Sequence, residues 1–234
     1  MGPRNTHRFF GRRFGRPLSE SRRQLISSVL PEMEITCKTA ATIGEIFDSS
    51  IKKLCLEIGF GAGEHLADLV FKRPDVGFIG CEPFVNGVAA LLARTQSKDI
   101  KVRPKNLKIF PDDARLLLPY LPAATVDKIY VLFPDPWPKK RHYRRRLICL
   151  ENLNQFSRLL RPGGTLYFAS DHMNYVRWTL QHLCINPDFE WLADGPHDWR
   201  SRFKSSIKTR YEDKALSSGC SCVYLTFRRR HQIL

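Results

Sequence analysis

Long apolar segments are missing from this 234-residue sequence, and no run approaches the ~20 consecutive apolar residues that a membrane-spanning helix needs. The arginine-rich start also lacks the apolar core of a secretory signal. An organellar transit peptide would need an amphipathic helix there, which Gly11, Gly15 and Pro17 would interrupt. We therefore expect a cytoplasmic protein without a membrane partner.

Paired cysteines and acidic residues are scarce too. The seven cysteines are scattered without a C-x-x-C pair, which argues against a disulfide framework and a zinc ribbon, and we expect no metal. Only 23 acidic residues face 38 lysines and arginines, so the formal net charge is +15. Such an excess generally reflects a polyanionic partner, and charge alone does not choose between nucleic acid and an acidic membrane surface.

Internal repeats are also absent, so the spacing of apolar residues is the main guide to the fold. We expect residues 1–50 to form a basic arm and a helix over residues 19–30, with Ser19 as N-cap and Pro31 just past its end. In residues 51–234, short apolar runs alternate with amphipathic segments of helix length. Gly163 and Gly164 mark a helix end and the turn into the fifth strand.

This alternation predicts an α/β fold with a doubly wound, mostly parallel sheet of seven strands. The last two strands are joined by a long polar connection rather than a helix, which favours an antiparallel hairpin that closes the C-terminal edge of the sheet. The predicted strands cover residues 53–58, 77–81, 107–110, 128–132, 165–170, 189–192 and 222–228.

A glycine-rich loop follows the first strand, where Gly59, Gly61 and Gly63 would let the backbone approach a ligand closely. Open α/β sheets bind ligands at this end, where the strand order reverses. Glu57 enters the same crevice, and Glu82 ends the second strand, where a carboxylate can accept hydrogen bonds from both ribose hydroxyls of an adenosine. A plain strand-to-helix turn is the alternative interpretation of the loop.

Two cofactor classes share this arrangement. A dinucleotide site usually reads G-x-G-x-x-G and holds a pyrophosphate, whereas this loop reads E-x-G-x-G-x-G and is followed by Glu64. Acidic side chains would repel a pyrophosphate, so Glu57 favours S-adenosylmethionine, which has no phosphate and carries a sulfonium and an ammonium. Asp113, after the third strand, could cap the next helix, hydrogen-bond the adenine amino group, or do both.

The fourth strand runs into a P-D-P-W turn, in which two prolines fix the backbone around Asp135. A carboxylate, an aromatic ring and Lys139 at the end of a strand indicate a functional site rather than simple turn punctuation. The segment Lys139–Arg146 then holds six cations and no acid, which is typical of phosphate binding, although a solvated helix face is the alternative. Its cations are Lys139, Lys140, Arg141, Arg144, Arg145 and Arg146.

Several segments together resemble the bacterial tRNA (guanine-N7)-methyltransferase family: Leu56–Gly63, Phe133–Arg146, Ser170–Asp171, Thr209–Glu212 and the basic start Phe10–Arg16. The resemblance covers most of the chain. One departure is Cys-Glu-Pro-Phe at residues 81–84, where the family more usually has Glu-Val and where Pro83 removes a backbone donor. The resemblance implies a Rossmann-like, S-adenosylmethionine-dependent methyltransferase domain over residues 51–234, which forms 7-methylguanosine in the variable loop of tRNA.

The resemblance also implies roles for single residues. Contacts with S-adenosylmethionine are implied for Glu57, Glu82, Asp113 and Asp135, and Asp135 would also lie at the catalytic centre. Contacts with the RNA substrate are implied for Lys139, Asp171, Thr209, Arg210, Tyr211 and Glu212.

Two other functions remain open at this point. An NAD-dependent oxidoreductase could use the three loop glycines and Glu82. A non-catalytic RNA-binding protein would fit the charge, but it leaves the acids at the strand ends without a purpose. The sequence decides neither between a monomer and a homodimer nor the role of residues 36–50.

Overall fold

Seven strands form one mixed sheet in the computed structural model, which describes residues 9–96, 103–204 and 206–231. In chain order they are β1 (Lys53–Ile58), β2 (Val76–Cys81), β3 (Leu107–Phe110), β4 (Val126–Leu132), β5 (Leu160–Ser170), β6 (Phe189–Trp191) and β7 (Val223–Arg229). Their order across the sheet is β3-β2-β1-β4-β5-β7-β6. Strand β7 runs antiparallel to β5 and β6, and the other pairs are parallel, which confirms the predicted fold class.

Helices connect these strands. The α-helices of the described residues are α1 (Glu20–Gln24), α2 (Leu30–Met33), α3 (Cys37–Ala40), α4 (Ile43–Ile46), α5 (Glu64–Lys72), α6 (Val85–Arg94), α7 (Ala114–Leu117), α8 (Leu150–Leu159), α9 (Met173–Cys184), α10 (Pro196–Arg200) and α11 (Arg210–Ser217). A π-helical turn covers Leu25–Val29, and 3-10 turns cover Leu118–Tyr120 and Lys140–Arg145. No helix in these described ranges is long and apolar enough to cross a membrane.

The strand order reverses at β1, which pairs with β2 on one side and β4 on the other. Ile58, at the carboxyl end of β1, aligns with Cys81 on β2 and Val131 on β4. The loops that follow these three strands therefore leave the sheet at one edge, where the diverging connections open a crevice.

Both faces of the sheet are covered. Apolar side chains of α5 and α6, such as Leu66 and Leu91, are buried on one face. Those of α8 and α9, such as Phe156 and Tyr175, are buried on the other. Because both sides of the parallel strands are buried, the strands read as short continuous apolar runs, and all six residues of β2 are buried.

The segment 36–50, whose role the sequence left open, completes the main core. Ala40, Ile43 and Phe47 are buried there beside Ile35, whose amide donates to the carbonyl of Ile109 at 2.9 Å. Thr36 caps α3 by accepting a hydrogen bond from the Thr39 amide. This segment therefore shields the sheet near β3 from water.

Three local predictions are wrong. The helix over residues 19–30 is broken by a π-helical turn, and Pro31 lies in the first turn of α2, where a missing amide costs little. Gly163 and Gly164 lie inside β5, beside an irregularity in its pairing with β4, and the φ of +79° at Gly163 suits such a bulge. The connection between β6 and β7 contains α10 and α11. Ser19 takes the N-cap position, but its hydroxyl makes no capping bond.

Candidate active site

A cavity of about 390 Å³ opens at the carboxyl ends of β1 to β4. Its wall includes Gly59 and Gly61 after β1, Glu82 after β2, Asp113 after β3 and Asp135 after β4. Binding sites for small molecules usually enclose ~300 to 1,000 Å³, so the cavity is large enough for a nucleoside-sized ligand. The structure thus brings these five predicted site residues together.

The glycine loop has a left-handed backbone, with φ of +75° at Gly59, +57° at Gly61 and +74° at Gly63. A Cβ atom on Gly61 would lie 3.0 Å from the ring of Tyr211, which also lines the cavity. Gly63 has a different role and is not on the wall. A Cβ atom there would meet Leu91 of α6 at 2.6 Å, so this glycine lets α5 pack closely against α6.

Glu82 is a buried carboxyl at the wall, with 7% of its surface exposed. Its oxygens accept hydrogen bonds from the amides of Gly61 at 2.7 Å and Phe84 at 2.9 Å. Pro83 has no amide hydrogen, so the amide of Phe84 supplies this second hydrogen bond. Burial raises the pKa of Glu82 to about 7, helped by the negative charges of Asp135 and Glu57, although the two amide bonds act in the opposite direction.

Asp113 is the N-cap of α7. Its side chain accepts a hydrogen bond from the amide of Arg115 at 3.0 Å and forms an ion pair with the same guanidinium group. The capping role considered from the sequence is therefore confirmed. A contact with an adenine amino group stays a prediction for this residue.

Asp135 lies on a strained turn. Phe133 and Trp137 on either side of it have φ of +51° and +44°, a region that aromatic residues rarely adopt. Each such residue costs ~1 to 3 kcal/mol, which the surrounding structure must offset. The carboxyl reaches solvent through the cavity mouth, while the neighbouring protein atoms partly desolvate it and so raise its pKa. Strain of this kind is common where a site must hold a side chain in a fixed position.

The N-terminal arm closes one side of the cavity, which sequence reasoning missed. Residues Phe9 to Arg12 line the wall. The carbonyl of Arg13 accepts a hydrogen bond from the Val85 amide at 2.9 Å, and the Arg13 side chain pairs with Asp112 at 2.7 Å. The similarity of residues 10–16 to the family was the one available signal, and it did not indicate this position.

Glu57 is not on the cavity wall. It is buried, and its Oε2 lies 2.7 Å from Nδ1 of His65, whose ring packs edge-on against Tyr130. The structure therefore shows a local partner for this carboxylate. Its contact with a cofactor stays a prediction.

The Thr209–Glu212 segment is divided between surface and interior. Tyr211 lines the cavity and Arg210 is exposed, whereas Thr209 caps α11 by accepting from the Glu212 amide at 3.2 Å. Glu212 is 2% exposed, pairs with Arg202 at 2.7 Å and accepts from the hydroxyl of Tyr224. This geometry gives Thr209 and Glu212 an observed structural role, and their contacts with RNA stay predictions.

The basic segment Lys139–Arg146 is also divided between surface and interior. Its exposed cations are Lys139, Lys140, Arg141 and Arg144. Asp171, for which the resemblance also implies a contact with RNA, is exposed as well. Arg145 is half-buried, and its guanidinium group lies over the rings of Phe10 at 4.3 Å and Trp137 at 4.9 Å. Arg146 is 2% exposed, so the structure gives its side chain a role inside the protein, and its contact with RNA stays a prediction.

Metal ligands are not grouped in the residues described. Within these ranges, no three His, Cys, Asp or Glu side chains lie close enough to hold an ion. The expectation that no metal takes part stays a prediction.

The strand order, the antiparallel β7 between β5 and β6, and an acidic crevice at the switch point define the class of Rossmann-like methyltransferases. Solved structures agree on the fold. The 16S rRNA methyltransferase KamB matches with a TM-score of 0.56 at 17% identity, over 85% of this chain and 95% of its own. An antibiotic-related methyltransferase matches with a TM-score of 0.55 at 16% identity, over 85% of this chain and 96% of its own.

Sequence comparisons identify the family. A family model described as "Putative methyltransferase" matches residues 51–225. The tRNA (guanine-N(7)-)-methyltransferase of Agrobacterium fabrum is 44% identical over 97% of both chains, and that of Rhodospirillum rubrum is 44% identical over 97% of this chain and 90% of its own. The chain belongs to the tRNA (guanine-N7)-methyltransferase family. It is a methyltransferase, and neither an NAD-dependent oxidoreductase nor a non-catalytic RNA-binding protein.

Proposed function

We propose that this protein transfers a methyl group from S-adenosylmethionine to N7 of a guanosine in the variable loop of tRNA. The relatives named above are tRNA (guanine-N(7)-)-methyltransferases, which supports this substrate. The observation that carries the proposal is a pair of carboxyls, Glu82 and Asp135, on one cavity wall. Both have a pKa raised by desolvation, and within the described residues neither forms an ion pair.

The cavity suits a positively charged nucleoside better than a pyrophosphate. Glu82 keeps acceptor capacity beyond its two amide bonds, so that it can take hydrogen bonds from ribose hydroxyls. A cationic ligand would offset the cost of holding two carboxylates in a partly desolvated site, whereas a polyphosphate would increase it. Glu82 would then hold the ribose of S-adenosylmethionine in this cavity.

S-adenosylmethionine supplies, when bound, an electrophilic methyl group that the exposed lone pair of guanine N7 can take directly, so that no side chain has to remove a proton first. The residues of this chain therefore contribute mainly by positioning. Aligning two reactants in a closed crevice can lower a barrier by up to ~7 to 11 kcal/mol. The strained turn around Asp135 and the arm across the cavity provide fixed walls for such alignment.

Asp135 has the additional task of recognising the base. A carboxylate can accept hydrogen bonds from the N1 and N2 donors of guanine, which adenine does not present in that arrangement. The purine becomes cationic during the transfer, and a nearby carboxylate stabilises that charge as it develops. We therefore assign both specificity and electrostatic catalysis to Asp135.

The test is to incubate the protein with labelled S-adenosylmethionine and an unmodified tRNA transcript, and then to map the methylated nucleotide. We expect the label on a guanosine of the variable loop and none on a transcript whose variable-loop guanosines are replaced by adenosine. Label on another nucleotide would disprove the assigned substrate.

The variant Asp135→Ala separates chemistry from binding. We expect turnover to fall by ~100-fold or more, as when one preorganised electrostatic group is removed, while RNA affinity stays near that of the wild type. Asp75→Ala is the matched control, because Asp75 is an exposed carboxylate paired with Arg73 at 2.8 Å and lies outside the cavity wall. Unchanged turnover in Asp135→Ala would contradict the assigned role.

A further inference from the structure

Arg146 is a buried cation beside the active-site turn. Its guanidinium group lies 3.8 Å from the ring centre of Tyr143, 4.9 Å from that of Tyr175 and 5.1 Å from that of Trp178. Three aromatic faces thus take the place that a carboxylate usually has around a buried arginine. Cation–π contacts of this kind gain strength when water is excluded.

The polar contacts of Arg146 join two parts of the protein. Its Nε donates a hydrogen bond to the carbonyl of Pro136 at 3.0 Å, and its Nη2 donates to Oδ1 of Asn174 at 2.6 Å. Pro136 directly follows Asp135, and Asn174 lies in the first turn of α9. One side chain therefore connects the strained turn to a helix that packs on the sheet.

The burial of Arg146 is unusual because its positive charge loses its hydration without gaining a counter-ion. Within the described residues Arg146 has no ion pair, its Nη1 has no hydrogen-bond partner, and burial lowers its pKa. Such a group is expensive to bury unless its geometry has a use. The use visible in the structure is to hold the carbonyl that follows Asp135, between two aromatic residues with left-handed backbones.

We propose that Arg146 is a positioning residue that holds the Pro134–Trp137 turn against α9 and so fixes the Asp135 carboxylate at the cavity mouth. The inference rests on the proposed function, because it takes Asp135 as the group that meets the base. Arg146 acts through the turn and does not touch RNA. Arginine suits the task because its rigid fork reaches two acceptors while its flat face stacks on rings, which the point charge of lysine cannot reproduce.

The experiment compares Arg146→Lys with Asn174→Ala and with Arg144→Ala, an exposed neighbour in the same segment. For Arg146→Lys we expect kcat to fall by ~10- to 100-fold, the size of effect that a misplacement of about 1 Å produces. The KM for tRNA and the salt dependence of RNA binding should stay at wild-type values. Arg144→Ala should show the opposite pattern, with a raised KM and a flatter salt dependence.

Hydrogen exchange supplies a readout that does not depend on activity. Peptides covering residues 130–142 should exchange faster in Arg146→Lys than in the wild type, and those of β2 should not change. Asn174→Ala removes one anchor at an exposed position, so it tests the inference even if Arg146→Lys fails to fold, and we expect a smaller fall in kcat with the same faster exchange. A lower kcat without faster exchange in either variant would overturn the positioning role, as would a flattened salt dependence in Arg146→Lys.

The proposed function and the positioning role of Arg146 can be refuted independently of each other. If the wild type does not methylate tRNA, the substrate assignment is wrong, whereas the exchange of residues 130–142 still decides whether Arg146 holds the turn. If the wild type is active and both variants keep wild-type kcat and exchange, only the role of Arg146 is refuted.

Discussion

Glu82 allows a quantitative test of the proposed cofactor site, because its pKa of about 7 places its ionisation within an accessible pH range. Ribose hydroxyls donate hydrogen bonds, so an adenosine should bind to the ionised carboxylate and not to the protonated acid. The binding constant should then follow the ionised fraction of Glu82.

The size of the effect follows from the pKa. With a value of about 7, roughly one molecule in eleven carries the ionised group at pH 6 and roughly ten in eleven at pH 8. We therefore expect the affinity to rise about tenfold over these two pH units, which corresponds to ~1.4 kcal/mol. Binding at pH 6 should also release a proton.

The same pKa predicts how the stability of the ligand-free protein depends on pH. The folded state raises the pKa of this acid from 4.5 to about 7, so the folded state binds the proton more tightly than the unfolded state. The contribution of Glu82 to stability is therefore complete below pH 4.5 and is lost as the pH rises through 7. The loss should amount to roughly 3 kcal/mol relative to Glu82→Gln.

Calorimetry between pH 6 and 8 measures both the affinity and the released proton. S-adenosylmethionine has an α-amino group that titrates near this range, so the assay should be repeated with 5′-methylthioadenosine, which keeps the ribose but lacks the amino acid. Asp135→Asn is the matched control, because Asp135 is the other cavity carboxyl with a raised pKa. The pH dependence should remain in Asp135→Asn and disappear in Glu82→Gln. A flat affinity in the wild type, or an equal rise in Glu82→Gln, would refute the reasoning.

Two further expectations concern the RNA surface and the glycine loop. Replacing the exposed Arg141 and Arg144 by alanine should lower the salt slope of RNA binding by roughly one unit for each lost phosphate contact, and an unchanged slope would remove them from the interface. Gly63→Ala should destabilise the protein by ~1 to 3 kcal/mol in chemical denaturation, because of its φ of +74° and its closeness to Leu91. Gly195→Ala is the control, since a Cβ there meets nothing within 4 Å, and equal stability of both variants would contradict this explanation.

The sequence predicts the central strands well because they are buried on both faces. Strands β1 and β3 have the predicted bounds, and β2 differs by one residue. In such strands apolar runs end where the chain reaches the crevice, so the acids after them can also be located. For this reason the sequence predicts Glu82 and Asp135 at one edge of the sheet, and in the structure both line the same cavity.

The sequence does not distinguish the roles of residues of the same type that lie close together in the chain. Arg144 and Arg146 belong to one run of cations, yet one is exposed and the other is buried among aromatic rings that come from different elements. Glu57 likewise follows a strand as the pattern predicts, but its partner His65 lies in the first turn of α5. A contact between side chains from different helices or strands depends on the direction in which each side chain points. The spacing of residues in a single sequence does not reveal such contacts.

The basic segment therefore combines two tasks that its charge alone cannot distinguish. Arg145 stacks on Trp137, and Arg146 donates a hydrogen bond to the carbonyl of Pro136, so two consecutive cations contact the strained turn. The exposed cations before them remain available for phosphates. Because the two sets are adjacent in the chain, RNA held by Lys139 to Arg144 would be fixed relative to Asp135 through only a few bonds. A short connection of this kind explains why a rigid turn and a phosphate-binding surface occur together in one continuous motif.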